Sequence, residues 1–367
     1  MYSQNDLDEA VSAGALSADA AASLRRFIDS QRDSPAVDEE SFRLITGFND
    51  IFVSIAAAIL LFAVGWIGQS IGQSMGLIID HDGPSPLAPL CVAGTAWALA
   101  LFFTAKRRMA LPSILLLLAF VGGVLAFTGF SLVLAIGPDS FEDNERAISL
   151  VAAVSAALAA GAAWLHWKRF RVPITVAAGS AAVAGIALAL LASALGEIPN
   201  LEDIMLGFVL LLGVGVFLLA MRWDSSDPAR VTRRSDVAFW LHLLAAPMIV
   251  HPVFTLLGLN DGTATIGEGL VVIALYVVLG ITALAIDRRA LLVSALAYVL
   301  YALTELFKQL GAVELNIALT ALVIGSALLL LSAFWHQARS VVVRRLPDGL
   351  QTKLPLLDRV ASPLPAA

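Results

Sequence analysis

The chain has 367 residues, of which 59% are apolar and only 14% charged, with a mean hydropathy of +0.85 and a formal net charge of −6. Such a composition lies far outside the range of soluble domains and excludes a water-soluble globular protein. The single Cys91 excludes an intramolecular disulfide and any multi-cysteine metal centre.

The apolar residues come in blocks of about 20, the length an α-helix needs to cross about 30 Å of hydrocarbon. An outer-membrane barrel would instead alternate in segments of about ten residues, and the sequence does not. The expected fold is all-α: a polytopic membrane helix bundle of about ten transmembrane helices, preceded by a small N-terminal cytoplasmic helical hairpin.

The N-terminus, MYSQNDLDEAVSAG, lacks the basic and apolar regions of a signal peptide, so the first span is expected to act as an uncleaved insertion signal. Residues 4–32 read as a helical hairpin. Leu7, Ala10 and Val11 share one face of the first helix, Gly14 stops it, and Ser17 caps a second helix with the stripe Ala20, Leu24, Phe27 and Ile28. A pair this small buries too little to stand alone. It is expected to dock on the membrane domain, on a second copy, or on a cytoplasmic protein partner.

The hairpin LDEAVSAGALS, followed by EESFRLITGFNDIFV and a train of spans, resembles the predicted bacterial membrane proteins grouped as domain of unknown function 2157. The resemblance covers the first 60 or so residues. It implies a protein of the bacterial cytoplasmic (inner) membrane, and it brings no activity and no catalytic residues with it.

Apolar runs place spans near 49–70, 87–105, 110–136, 147–166, 172–195, 204–221, 236–258, 267–286, 290–309 and 313–335. Lys and Arg fall almost wholly in alternate loops: 21 of the 23 lie on one side, with only Arg146 and Lys308 on the other. Because cytoplasmic loops retain positive charge, both termini are expected in the cytoplasm. The organisation read from this is a hairpin module over 1–36, a juxtamembrane linker over 37–48, a transmembrane domain over 49–336, and a basic, proline-rich, disordered tail over 337–367.

Asn49 and Asp50 stand at the start of the first span. As N-cap and first-turn acid they suit the positive end of the helix dipole; the alternative is an inner-face gate reached by Arg43. The seventh span holds Pro247 and Pro252, which remove two backbone donors and predict either a plain kink or a broken helix of the kind that builds transporter sites. His242 and His251, nine residues apart, fall on opposite faces of it.

Tyr298, Tyr301, Glu305 and Lys308 lie on one face of the ninth span, where Glu305 and Lys308 are spaced to pair near the outer interface. With Pro247 and His251 these are the candidate solute or gate residues, and few other ionisable groups are expected inside the spans. His166, Trp167, Trp335 and His336 read as interfacial anchors. Small pairs such as Ala157 with Gly161 and Ala181 with Gly185 invite close helix packing in the fourth and fifth spans.

No phosphate-binding loop, nucleophile elbow, zinc motif or dinucleotide fingerprint appears in a suitable context, so no enzyme activity and no cofactor are expected. Membrane lipids are the expected surroundings, residues 4–32 the expected site of any partner or self-association, and no nucleic acid is expected. Two functions follow: a solute or lipid transporter built from two five-helix units, or a non-catalytic scaffold or sensor that works through its hairpin.

Overall fold

The computed structural model describes residues 10–31, 48–258 except positions 81, 82, 143, 197, 229 and 231, 266–309, and 315–357 except positions 353 and 356. The chain divides into two compact units, Met1–Arg43 and Leu44–Ala367. In the first, helix α1 spans Ala18–Gln31. The Ser17 hydroxyl accepts from the N–H of Ala20 at 3.1 Å, the cap expected of it. Gly14 sits at φ +72°, with its N–H donating to the Val11 carbonyl, so the first helix ends there as its residue type dictates. Leu7 and the side chains of Phe27 and Ile28 lie outside the described residues.

The second unit is an all-α polytopic bundle. Ten apolar helices follow in order: α2 (Phe48–Ser74), α3 (Leu87–Phe103), α4 (Ala110–Ile136), α5 (Glu145–Phe170), α6 (Ile174–Leu195), α7 (Leu201–Ser225), α8 (Arg233–Leu256), α9 (Ile266–Ile286), α10 (Ala290–Gln309) and α11 (Asn316–Ala333). Each falls on one expected span. Among the described residues nine are long and apolar enough to cross a membrane, whereas α3 has 17 residues, about 25 Å at 1.5 Å per residue.

Consecutive helices pack as neighbours from α2 to α6; α6 then meets both α7 and α8, and α8 meets α10, which lies between α9 and α11. Helix α8 is the most enclosed of the long helices, half of its apolar window being buried. Most other spans turn large residues such as Phe62, Trp66, Leu218 and Leu329 outward, as surfaces facing lipid require.

Helix α2 begins at Phe48, so Asn49 lies within its first turn and is exposed rather than capping it. Asp50 is the acid of that turn and is buried. Of the two readings of α8, the broken helix is not the one found. The helix runs unbroken from Arg233 to Leu256 through both Pro247 and Pro252.

The physical reason lies on α7. Pro252 deprives the Met248 carbonyl, four residues earlier, of its helical donor. Gly213 packs against that carbonyl so closely that a Cβ there would stand 2.9 Å from the oxygen and 2.8 Å from Met248 Cβ. The bare glycine backbone lets α7 approach and cover the orphaned group.

The described part of the tail is not disordered. After Phe334 the chain turns into α12 (Trp335–Val343), which packs on α9 and α11, and a short α13 (Asp348–Gln351) follows. Trp335, Val343 and Leu354 join Leu284, Ile286 and Leu291 in one core cluster. The proline-rich, basic composition suggested disorder, but apolar residues three to four apart along residues 335–343 give this segment a face to bury.

Candidate functional site

Three segments meet at the end of the bundle where α7, α9 and α11 finish: the α7–α8 loop, the three-residue turn Asp287–Arg289 between α9 and α10, and α12. Asp224, one residue from the end of α7, is 1% exposed, and Arg288 beside it is 2% exposed. The Asp224 Oδ1 accepts from Arg288 Nη2 at 2.5 Å, and its Oδ2 from Arg288 Nε at 3.2 Å, the two-pronged geometry that makes arginine–carboxylate pairs strong.

His242 Nε2 lies 3.1 Å from the same Oδ2. A carboxylate only accepts, which assigns the proton to Nε2. Arg288 Nη2 also donates to the Ser235 carbonyl at 3.1 Å, tying the start of α8 into the cluster.

A second pair stands beside the first. Asp287, at φ +57°, accepts from Arg230 Nη1 at 2.8 Å on Oδ2 and from Trp335 Nε1 at 2.7 Å on Oδ1. Arg230 Nη2 donates to the carbonyls of Ile286 and Asp287 at 3.1 and 3.2 Å, closing the C-terminus of α9 where the helix dipole is negative. Arg339 of α12 brings Nε to 3.7 Å from Asp287 Oδ1 and donates from Nη2 to the Pro355 carbonyl. Asp227 accepts from both the N–H and the hydroxyl of Thr232 at 2.9 and 2.7 Å, which shapes the α7–α8 loop.

Buried charge costs several kcal/mol per ion unless it is paired and hydrogen-bonded. Here Asp224 and Asp287 are each held by arginine and by a further ring N–H, and the cluster works as a clamp. It joins α7, α8, α9, α10 and α12 at one end. Arg289, next in sequence to Arg288, takes no part; its guanidinium lies over the Trp335 ring at 4.7 Å.

The other half of the bundle has a different polar feature. His166, near the end of α5, is fully buried, its Nδ1 3.3 Å from the Thr175 hydroxyl of α6. The rings of Trp97, Phe120 and Phe170 surround it, with centroids 4.6 to 6.2 Å away. It is a packed core residue, not the interfacial anchor expected, because α3, α4 and α6 close over the end of α5. Trp335 is likewise buried by its bond to Asp287, while His336 is exposed.

Of the expected solute or gate residues, the structure brings two together: His251 Nδ1 and the Tyr298 hydroxyl lie 2.6 Å apart, and Tyr298 stacks on Phe254 at 4.5 Å. Pro247 is exposed on α8, Tyr301 is half-buried and Lys308 exposed on α10. The Glu305 side chain lies outside the described residues, and with it the expected pairing to Lys308. His242 is buried and His251 exposed, on opposite faces as spacing requires.

The pairs Ala157 with Gly161 and Ala181 with Gly185 are not the helix contact, since Ala157, Gly161 and Ala181 face outward. Close approach of α5 and α6 runs instead through Ala163 against Gly179 and Ala156 against Gly185.

The expectation of few buried charges fails at this end of the bundle. By position Arg230, Arg288 and Arg339 are loop charges of the kind that sets topology; folding buries them against Asp224 and Asp287. The signal was present in RWDSSDPAR and IDRR, where aspartates sit among the arginines of loops otherwise stripped of acid. No group of three histidine, cysteine or carboxylate side chains placed to hold a metal ion occurs among the described residues. No protein-family model matches the chain, and no match was found among curated proteins or solved structures.

Proposed function

We propose that this integral membrane protein is a transporter of solute or lipid in a bacterial cytoplasmic membrane, with the arginine-rich end and both termini in the cytoplasm. It works by movement between two five-helix bodies, α2–α6 and α7–α11. The resemblance of the N-terminal hairpin to domain of unknown function 2157 and the one-sided arginines support the location.

The observation that carries the mechanism is the distribution of polar ties. Polar ties gather inside each body: Gln69 to Gly83 and Ser85, and His166 to Thr175, in the first; the arginine clamp and His251 to Tyr298 in the second. The seam is apolar, with Ala177 of α6 packed among Val216, Ala220, Val237, Leu241 and Ala245. Apolar seams can slide or rock without stranding a charge, whereas buried ion pairs resist separation.

The test is flux of a fluorescent phosphatidylglycerol in proteoliposomes, with cysteines introduced at Ala177 and Leu241 in a Cys91→Ala background. Flux that stops on thiol cross-linking and resumes on cleavage of the linker is the expected result. Flux that continues with the seam cross-linked rejects the rocking mechanism; no flux from the uncross-linked protein rejects lipid as cargo.

A scaffold reading, in which the hairpin holds a cytoplasmic partner, is favoured by one observation: Met1–Arg43 forms a compact unit of its own. Deleting residues 1–36 separates the two, since a transporter of this design keeps its flux and a scaffold loses its partner.

A further inference from the structure

Between α9, α10, α11 and the start of α12 lies a cleft of about 140 Å³. Leu292, Leu296, Leu328 and Tyr276 line it, and Arg289 and Trp335 stand at the clamp end. We infer that this cleft binds one anionic phospholipid, with the headgroup phosphate on Arg289 and the upper part of an acyl chain between the leucines.

Four observations converge on that ligand. Arg289 is half-buried and has no carboxylate partner among the described residues, although Arg288, Arg230 and Arg339 around it are each engaged by aspartate. Its guanidinium carbon lies over the Trp335 ring at 4.7 Å from the centroid, a contact that holds the group in place without using its N–H donors. The Tyr276 hydroxyl is buried with no hydrogen-bond partner among the described residues, an unmet donor that an ester oxygen would satisfy.

The fourth is size and position. At ~30 Å³ per water-sized volume the cleft has room for an acyl segment rather than a whole lipid. It opens beside Val293, which is 66% exposed on the lipid-facing side of α10. An isolated cation at the end of an apolar cleft between spans is the arrangement that suits an anionic headgroup. A free phosphate would use Arg289 alone and leave the leucine walls and Tyr276 without a role.

This inference does not rest on transport, since a retained lipid serves a static protein equally well. The test is native mass spectrometry of the purified full chain equilibrated with equal phosphatidylglycerol and phosphatidylcholine. One phosphatidylglycerol should be retained in preference. Arg289→Gln should weaken that retention about five-fold, the worth of one arginine near a charged surface, while Arg345→Gln, an exposed arginine of the same end, leaves it unchanged.

Leu296→Trp, which fills the cleft, should displace the lipid without removing charge. Equal retention of the two lipids, or equal retention by wild type and Arg289→Gln, overturns the proposal. So does a chain ending at Leu357 that takes up the lipid when the full chain does not, because residues 358–367 would then be the occupant.

Discussion

The early helices of the bundle, α2–α6, and the later ones, α7–α12, are held together by opposite means. Between α2 and α6 the contacts are made by small residues: a Cβ on Gly68 would stand 2.7 Å from the Leu87 carbonyl, and one on Gly123 2.9 Å from the Pro89 carbonyl and Ala93 Cβ. Ala96, Ala100, Ala159 and Ala163 fill the centre. Between α7 and α12 the decisive contacts are ionic, and they gather at one end.

In lipid no hydrophobic force distinguishes a helix neighbour from an acyl chain, so association must come from close van der Waals packing or from polar bonds. The early helices use packing and are sensitive to a single methyl group. The later ones use buried charge and are sensitive to the loss of a partner.

The largest effect should come from Asp224→Ala, which strands buried Arg288 and His242. A loss of about 3–5 kcal/mol is expected, read as an earlier transition in detergent unfolding. The double variant Asp224→Ala with Arg288→Met should recover most of it, because the pair is removed together. A single variant as stable as wild type breaks the comparison, for the clamp would then hold nothing.

Next, Gly68→Ala and Gly123→Ala should each cost about 1–3 kcal/mol by forcing helices apart. Gly94→Ala and Gly122→Ala, on α3 and α4 with open space at the Cβ, should be neutral or gain up to about 1 kcal/mol of helix propensity. If all four behave alike, packing is not what holds the early helices.

Gly213→Ala sharpens the contrast, since it adds a methyl group among the later helices. The same 1–3 kcal/mol is expected there, and a cost near zero would show that the clamp alone sets the α7–α8 distance. The smallest effect belongs to His166→Phe. It keeps a ring among Trp97, Phe120 and Phe170 and gives up one long hydrogen bond, so about 1 kcal/mol or less should separate it from wild type.

Much of the fold was legible in the sequence and much of the candidate site was not. The Ser17 cap and the Gly14 stop follow from residues a few positions apart, and so does the opposition of His242 and His251. Asp287 and Arg288 showed only as an acid among loop arginines, and nothing nearby marked Trp335 as their partner. Asp224 meets Arg288 64 residues on, and Asp287 meets Trp335 48 residues on. The Met248 carbonyl that Pro252 frees is covered by Gly213, 39 positions before that proline in the chain.

The sequence by itself determined the all-α class, the ten apolar helices and the end of the bundle at which the arginines gather. Span length and hydropathy are sums over neighbouring residues, and helix hydrogen bonds never leave the segment. Tertiary structure alone decided which arginines are buried, that Trp335 and α12 close the bundle, and that Arg289 is left over beside an apolar cleft. Burial and pairing depend on what other helices bring to a side chain.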